Sequence, residues 1–433
     1  MELKKKEKRD ISFLGRVLLF FKNLKNKFKE MRLVQRTVER QKALAGIDGE
    51  DCSAEARASF GFGMAKVISI TVLCVFLIVA LVFGGSIISY ENVYYMFKDI
   101  GYISSFSESR PASLSYSAPF TNQDFTSFKN GLAVVGDSEI KLFTSTGRVT
   151  MTAGISYTNP KICASDSSVL VFDQGRNSFS VYNSFISVFS DTLDYPISSA
   201  HMADDGSFCI VTKSREYSSV VRVYDNKFNL EMEYSKNDYI ISARMSDDGK
   251  RIAVVSLASS SGESRTVLNV IERGKNTPES TVTLNGKMPY FAEFIAGDRI
   301  ALICSDSAHV YDLDCKRKNM FEFPYALSEA SVTDGGVALL FNKNGVGTES
   351  VLAVLDVNGK LKHTDMISGG VIDARLFGDD VILLQNDRIC KVDAVLGSKS
   401  VYPFSEENSR LVVFENGDVW VCTPTVAYYI FTD

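Results

Sequence analysis

From Leu132 to the C-terminus the chain repeats, and this repeat limits its fold more than any other feature. Short apolar, β-branched runs begin at Leu132, Val169, Phe208, Ile252, Ile300, Val337, Val381 and Val419. Their starts lie 37 to 48 residues apart, a period near 40. A Gly/Asp/Ser turn precedes each run, as in DDGS before Phe208 and DDGK before Arg251, and a second, more alternating run follows. Eight units of strand, turn, strand, loop and strand predict four-stranded blades packed face to face around an axis, an all-β, eight-bladed β-propeller. The second strand of each unit is nearly continuous in Val, Ile and Leu, as a sheet covered on both faces requires. Ala200, Ala243 and Ala330 fall at matching positions just ahead of the turns, where small residues suit the crowded innermost strand.

The two ends of the repeat set the blade count. The last unit, Leu411–Asp433, has room for three strands, while the first is preceded by a spare strand-like segment, Ala112–Ser117. If that segment supplies the outer strand of the last blade, the termini tie the ring shut and leave no open edge. Eight blades is the expectation; seven, with one unit degenerate, is the alternative.

Residues 67–88 form the second constraint. The run VISITVLCVFLIVALVFGGSII holds no charge between Lys66 and Glu91 and is long enough to cross a bilayer as a helix, which needs about 20 apolar residues. Sixteen Lys/Arg against nine Asp/Glu precede it, and Lys98 is the single base in the twenty residues after it. This asymmetry predicts an uncleaved signal anchor with a cytoplasmic N-terminus and the repeat domain outside. The organisation expected is a basic amphipathic helix (1–45), a linker (46–66), a transmembrane helix (67–88), a juxtamembrane segment (89–109) with Tyr90, Tyr94, Tyr95 and Phe97 at headgroup level, and the extracytoplasmic propeller (110–433).

In the basic arm, Leu14, Val17, Phe21, Leu24, Phe28, Met31 and Val38 follow helical spacing, with Lys and Arg on the other face. Such a helix suits the anionic inner leaflet of the membrane. The same spacing also fits a coiled coil that makes a homodimer through residues 14–38, or a marginal helix whose lysines only enforce topology.

Catalytic and metal patterns are sparse. The three histidines, His201, His309 and His363, fall in different blades, and neither HExxH nor G-x-S-x-G occurs. The pairs Asp204-Asp205, Asp247-Asp248 and Asp379-Asp380 read as turn chemistry, not as a metal site. No cofactor is implied, and the expected character is non-enzymatic. Cys163, Cys209, Cys304, Cys390 and Cys422 lie in or beside strands of separate blades, so a disulfide framework is not expected, and none of the nineteen Asn after the anchor lies in an N-x-S/T sequon. Both features favour a bacterial envelope. With 31 Lys/Arg against 43 Asp/Glu beyond residue 66, the outer part does not suit nucleic acid.

Ser246-Asp247-Asp248-Gly249-Lys250-Arg251-Ile252-Ala253 resembles the S-P-D-G-K-x-I-A repeat of WD40-like, TolB-type bacterial propellers, and Met202–Gly206 is a weaker copy. Asp247 stands in place of the proline, and Trp420 is the single tryptophan, so the WD dipeptide is absent. The whole plan resembles an uncharacterised family of single-pass, membrane-anchored propeller proteins of Gram-positive gut bacteria. That resemblance implies a plasma-membrane protein with its propeller outside.

Tyr157, Tyr195, Tyr239, Tyr290 and Tyr325 recur at the start of successive inner strands, on the rim of the channel. They are the candidate binding residues, with the loops Ala258–Thr266 and Asn342–Ser350 expected on the same face. Tyrosine combines apolar area with a hydrogen-bonding tip, and its other role here is to plug the channel end. The expected function is a membrane-tethered, protein-binding scaffold. A small-molecule sensor or an enzyme with a site in the channel is the alternative, disfavoured by the lack of clustered His, Trp or convergent carboxylates in the sequence.

Overall fold

The computed structural model describes residues 39–40, 42–43, 60 and 62–76, and residues 113–430 with short breaks at 117–121, 130, 145–146, 261–262, 345–347, 407–408 and 415–416. The chain divides into two compact units, Met1–Phe106 and Ser107–Asp433. In the first, residues 62–76 are helical. They take in the first ten residues of the apolar run and expose Ile68, Ile70, Val72, Leu73 and Phe76. Among the described residues no helix is long and apolar enough to cross a membrane. The expected basic arm, apart from four helical residues near its end, most of the linker, the second half of the apolar run and the juxtamembrane aromatics lie outside the described residues.

The second unit is an eight-bladed β-propeller of eight four-stranded antiparallel sheets. Blade 1 is β2 (Asp124–Phe128), β3 (Gly131–Val135), β4 (Glu139–Phe143) and β5 (Val149–Gly154). Blades 2 to 7 repeat this order, with inner strands β6 (Pro160–Ala164), β10 (Ser199–Met202), β14 (Tyr239–Met245), β18 (Pro289–Ile295), β22 (Ala326–Thr333) and β26 (Val371–Phe377). Blade 8 is built from both ends of the domain. β30 (Arg410–Val413), β31 (Val419–Cys422) and β32 (Val426–Ile430) are completed by β1 (Ser113–Ser115), which pairs with β32 through Leu114 and Ala427. The spare N-terminal segment therefore closes the ring as its pattern predicts.

The core lies between blades. Every residue of β3, β7 (Val169–Asp173), β11 (Phe208–Thr212) and β31 is buried, because each second strand is covered by the blades on either side. Between blades 2 and 3, Phe208 stacks on Tyr224 at 4.7 Å and meets the edge of Phe179 at 5.9 Å. At the closure, Leu114, Tyr116 and Trp420 of blade 8 pack with Leu132, Val134 and Phe143 of blade 1. Fully burying an aliphatic or aromatic side chain contributes roughly 1.5–3 kcal/mol, so these seams hold the ring.

The acidic turns join neighbouring blades. Asp248 Oδ1 accepts from the Ser246 hydroxyl (2.7 Å) and the Lys250 N–H (3.1 Å), while Asp205 Oδ1 accepts from the Ser207 N–H (2.8 Å). Gly249 has φ +66°, and a Cβ there would lie 2.5 Å from the Asp205 carboxylate. Any other residue there would be strained by that φ and would have to displace the Asp205 carboxylate. Arg273 bridges Asp205 (3.0 Å) and Glu231 (2.7 Å) beside them. Asp379 pairs with Lys362 and Asp380 with Lys391.

Candidate functional site at the channel mouth

Antiparallel order puts the start of each inner strand and each turn between second and third strands at one end of the ring. All five tyrosines belong to this end, with the hairpin β15 (Arg251–Ser260)/β16 (Glu263–Glu272) and the turn between β23 (Gly336–Asn342) and β24 (Glu349–Leu355). The five differ in exposure. Tyr157 is half-buried, its hydroxyl 3.1 Å from Ser180 Oγ. Tyr195 is half-buried beneath the Lys213 ammonium, 5.8 Å from its ring centroid. Tyr239, Tyr290 and Tyr325 are 68%, 49% and 41% exposed. These three lie on consecutive blades, 4 to 6.

A backbone feature of the inner strands explains this division. The inner strands of blades 4, 5, 6 and 7 each carry a β-bulge near their start. The pairing skips Ile241, Tyr290, Ser328 and Ile372, which have no partner on the second strand. A bulge opposes two residues to one and re-aims the extra side chain. Here it turns Ile241, Tyr290 and Ile372 out to solvent beside Tyr239, Met288 and Tyr325, all of them exposed. In blades 1, 2, 3 and 8 the inner strands pair without a shift. The available signal was a break in alternation, since Tyr239-Ile240-Ile241, Met288-Pro289-Tyr290-Phe291 and Val371-Ile372 are consecutive apolar residues where a half-buried strand alternates.

Behind the mouth, the channel is charged. Ala200, Ala243 and Ala330 do occupy one level of the inner strands, opposite Ile210, Val254 and Leu339, and Ala292 and Ala374 join them. The next residue in each blade forms a tier of Thr126, Cys163, His201, Arg244, Glu293, Ser331, Arg375 and Val412. Two residues before this tier stand Asp124, Glu329, Asp373 and Arg410. Four carboxylates, Asp124, Glu293, Glu329 and Asp373, thus share the inner strands with Lys161, Arg244, Arg375 and Arg410, while among the described residues no three His, Cys, Asp or Glu side chains gather as a metal site would need. These charges line one channel only once the blades close, which local spacing does not show.

Much of this polar lining serves the free edges of the inner strands. The Ile162 N–H donates to Asp124 Oδ2 (3.2 Å), Met245 N–H to His201 Nδ1 (3.1 Å), Leu376 N–H to Ser331 Oγ (3.0 Å) and Leu411 N–H to Asp373 Oδ2 (2.9 Å). In each case a side chain of one blade satisfies a backbone donor of the next, which a buried strand edge requires. Ion pairs continue the ring: Arg244 Nε to Glu293 (3.2 Å), Arg375 to Asp373 (3.2 Å) and Glu329 (3.8 Å), and across the closure Arg410 to Asp124 (3.9 Å). Burial, and then the Arg244 charge, push His201 down to about 3, so its Nδ1 remains an acceptor. Burial raises the carboxyls of Asp124, Glu293 and Glu329 above their ordinary values. His309 and His363 stand on the third and fourth strands of blades 5 and 6, away from this lining.

Residues 111–425 match a family described as a family of unknown function (DUF5711). No curated protein matches the chain. Among solved structures the chain is similar to BamB from Moraxella catarrhalis, with 8% identity and a TM-score of 0.53 over 75% of this chain and 99% of that one. It is also similar to the WD40 domain of Neurospora crassa Pan2, at 9% identity and a TM-score of 0.46 over 74% of this chain and 94% of that one. Kluyveromyces lactis Hsv2p gives 8% identity and a TM-score of 0.47 over 66% and 98%. At such identities the likeness to BamB concerns the fold alone.

Proposed function

We propose that this chain, which belongs to the DUF5711 family of unknown function, is a membrane-tethered, non-enzymatic scaffold whose propeller docks a protein partner outside the cell. The observation that carries the reading is the arc of exposed Tyr239, Ile241, Met288, Tyr290, Tyr325 and Ile372 over four consecutive blades at the channel mouth. Interface cores are rich in Tyr, Met and other apolar side chains, and a bulged, hydrogen-bonded strand presents them rigidly. Tyr157 and Tyr195, half-buried in the unbulged half, act as packing at the rim.

Tethering is supported by the uncharged run 67–88 and by the exposed apolar side chains of its helical part, 67–76. The charge asymmetry around the run favours a cytoplasmic N-terminus and an extracytoplasmic propeller on a bacterial plasma membrane. The basic arm then lies against anionic lipid of the inner leaflet, or pairs with a second copy through residues 14–38. The test is a pull-down of the tagged full-length protein from native membranes. It is set beside Tyr239→Ala/Tyr290→Ala/Tyr325→Ala and a variant lacking residues 1–60. The expected result is a protein partner kept without the arm and lost with the tyrosines; an unchanged partner set in the triple variant sinks the reading.

A further inference from the structure

We propose that the axial cavity behind the mouth binds a small zwitterion, a free α-amino acid or short peptide, with its carboxylate on Arg244 and its ammonium group on Glu293. The cavity measures ≈ 500 Å³ and is walled by the inner strands of blades 1 and 4 to 8, within the roughly 300–1,000 Å³ typical of small-molecule sites. This site is distinct from the exposed apolar arc and stands whether or not that arc docks a protein.

Two observations point to a zwitterion. The charged side chains lining the cavity are Arg244, Arg375 and Glu293, and Asp373, 3.2 Å from Arg375, offsets that cation, which leaves one base and one acid of the lining for a ligand with both signs on it. Arg244 Nε approaches Glu293 at 3.2 Å in a contact that makes no well-directed hydrogen bond, so this pair is incompletely matched.

A carboxylate on the guanidinium and an ammonium group on Glu293 complete this half-made pair with charge-assisted hydrogen bonds. The raised carboxyl of Glu293 agrees, since burial leaves it short of positive charge. Between the charges, Phe291, Val332 and Leu376 offer an apolar wall for a side chain, and Ser127 and Thr333 add hydroxyls. The sequence concealed the site because its walls come from residues as far apart as Phe125 and Val413.

The test is calorimetric titration of the full-length protein with L-leucine and the dipeptide L-alanyl-L-leucine, and with two probes that each lack one charge, N-acetyl-L-leucine and L-leucine methyl ester. Binding of the amino acid or the dipeptide is expected, weakened about tenfold or more when either charge is blocked. Arg244→Gln and Glu293→Gln should each weaken it about as much. Equal binding of a blocked probe, or no binding of either zwitterion at about 1 mM, overturns the proposal. The probe comparison uses the native chain, so it decides the matter even if a variant fails to fold.

Discussion

Blades 4 to 7 and blades 8 to 3 share strand order, turn chemistry and inter-blade seams, yet they treat the start of the inner strand differently. In the first half a bulge throws one residue per blade out of register and exposes Ile241, Tyr290 and Ile372. In the second half the pairing is continuous, and the tyrosines near the same level stay half-buried. One half has been freed to offer a surface, while the other carries closure and packing. A single unpaired residue makes this difference, because one step of register exchanges the two faces of a strand.

The strongest test applies one substitution to both halves. Leu114→Ser should cost roughly 3–5 kcal/mol, because it leaves a hole and a hydroxyl in the seam that ties blade 8 to blade 1. Ile372→Ser, at an exposed bulge, should stay within about 0.5 kcal/mol. Urea midpoints measure both, and equal losses would remove the distinction between a closing half and a presenting half.

The channel tier gives a second contrast, of opposite sign in the two halves. His201, in blade 3, has its folded-state pKa lowered from 6.5 to about 3. Its contribution is full above pH 6.5 and is lost as pH falls, because the unfolded chain binds a proton that the folded one refuses. His201→Gln keeps an acceptor for Met245 and should flatten the fall in stability between pH 6.5 and 5 by roughly 1–2 kcal/mol. Glu293, in blade 5, is raised above its ordinary 4.5, so its contribution is full below that value and lost as pH rises. Glu293→Gln should therefore relieve the loss on the alkaline side of 4.5. Melting curves across pH separate the two, and slopes of the same sign would show that the tier does not work as described.

The smallest effect concerns the tyrosine hydroxyls. Tyr157→Phe removes the bond to Ser180 and should cost about 0.5–1.5 kcal/mol, whereas Tyr239→Phe should change stability by less than about 0.5 kcal/mol. The same urea midpoints report both.

The sequence showed the blades more plainly than the site. Turn residues such as Gly249 and runs such as Ile252–Val255 are local, so spacing alone exposes them. The candidate tyrosines were visible as a series, but their division into two half-buried and three exposed was not. That division depends on bulges at Ile241, Tyr290 and Ser328, set by the fit of one strand to its neighbour. Likewise Arg244, Glu293 and Arg375 each look like an isolated charge in an alternating strand.

What the sequence determined by itself is the eightfold repeat, the all-β class and the closure of the ring by residues near 113–115, since strand period, turn chemistry and a missing outer strand are written along the chain. Tertiary structure alone decided which half presents apolar side chains and which charges meet at the axis. Both follow from bringing inner strands of distant blades around one channel, where partners lie tens to hundreds of residues apart and local pattern holds no record of them.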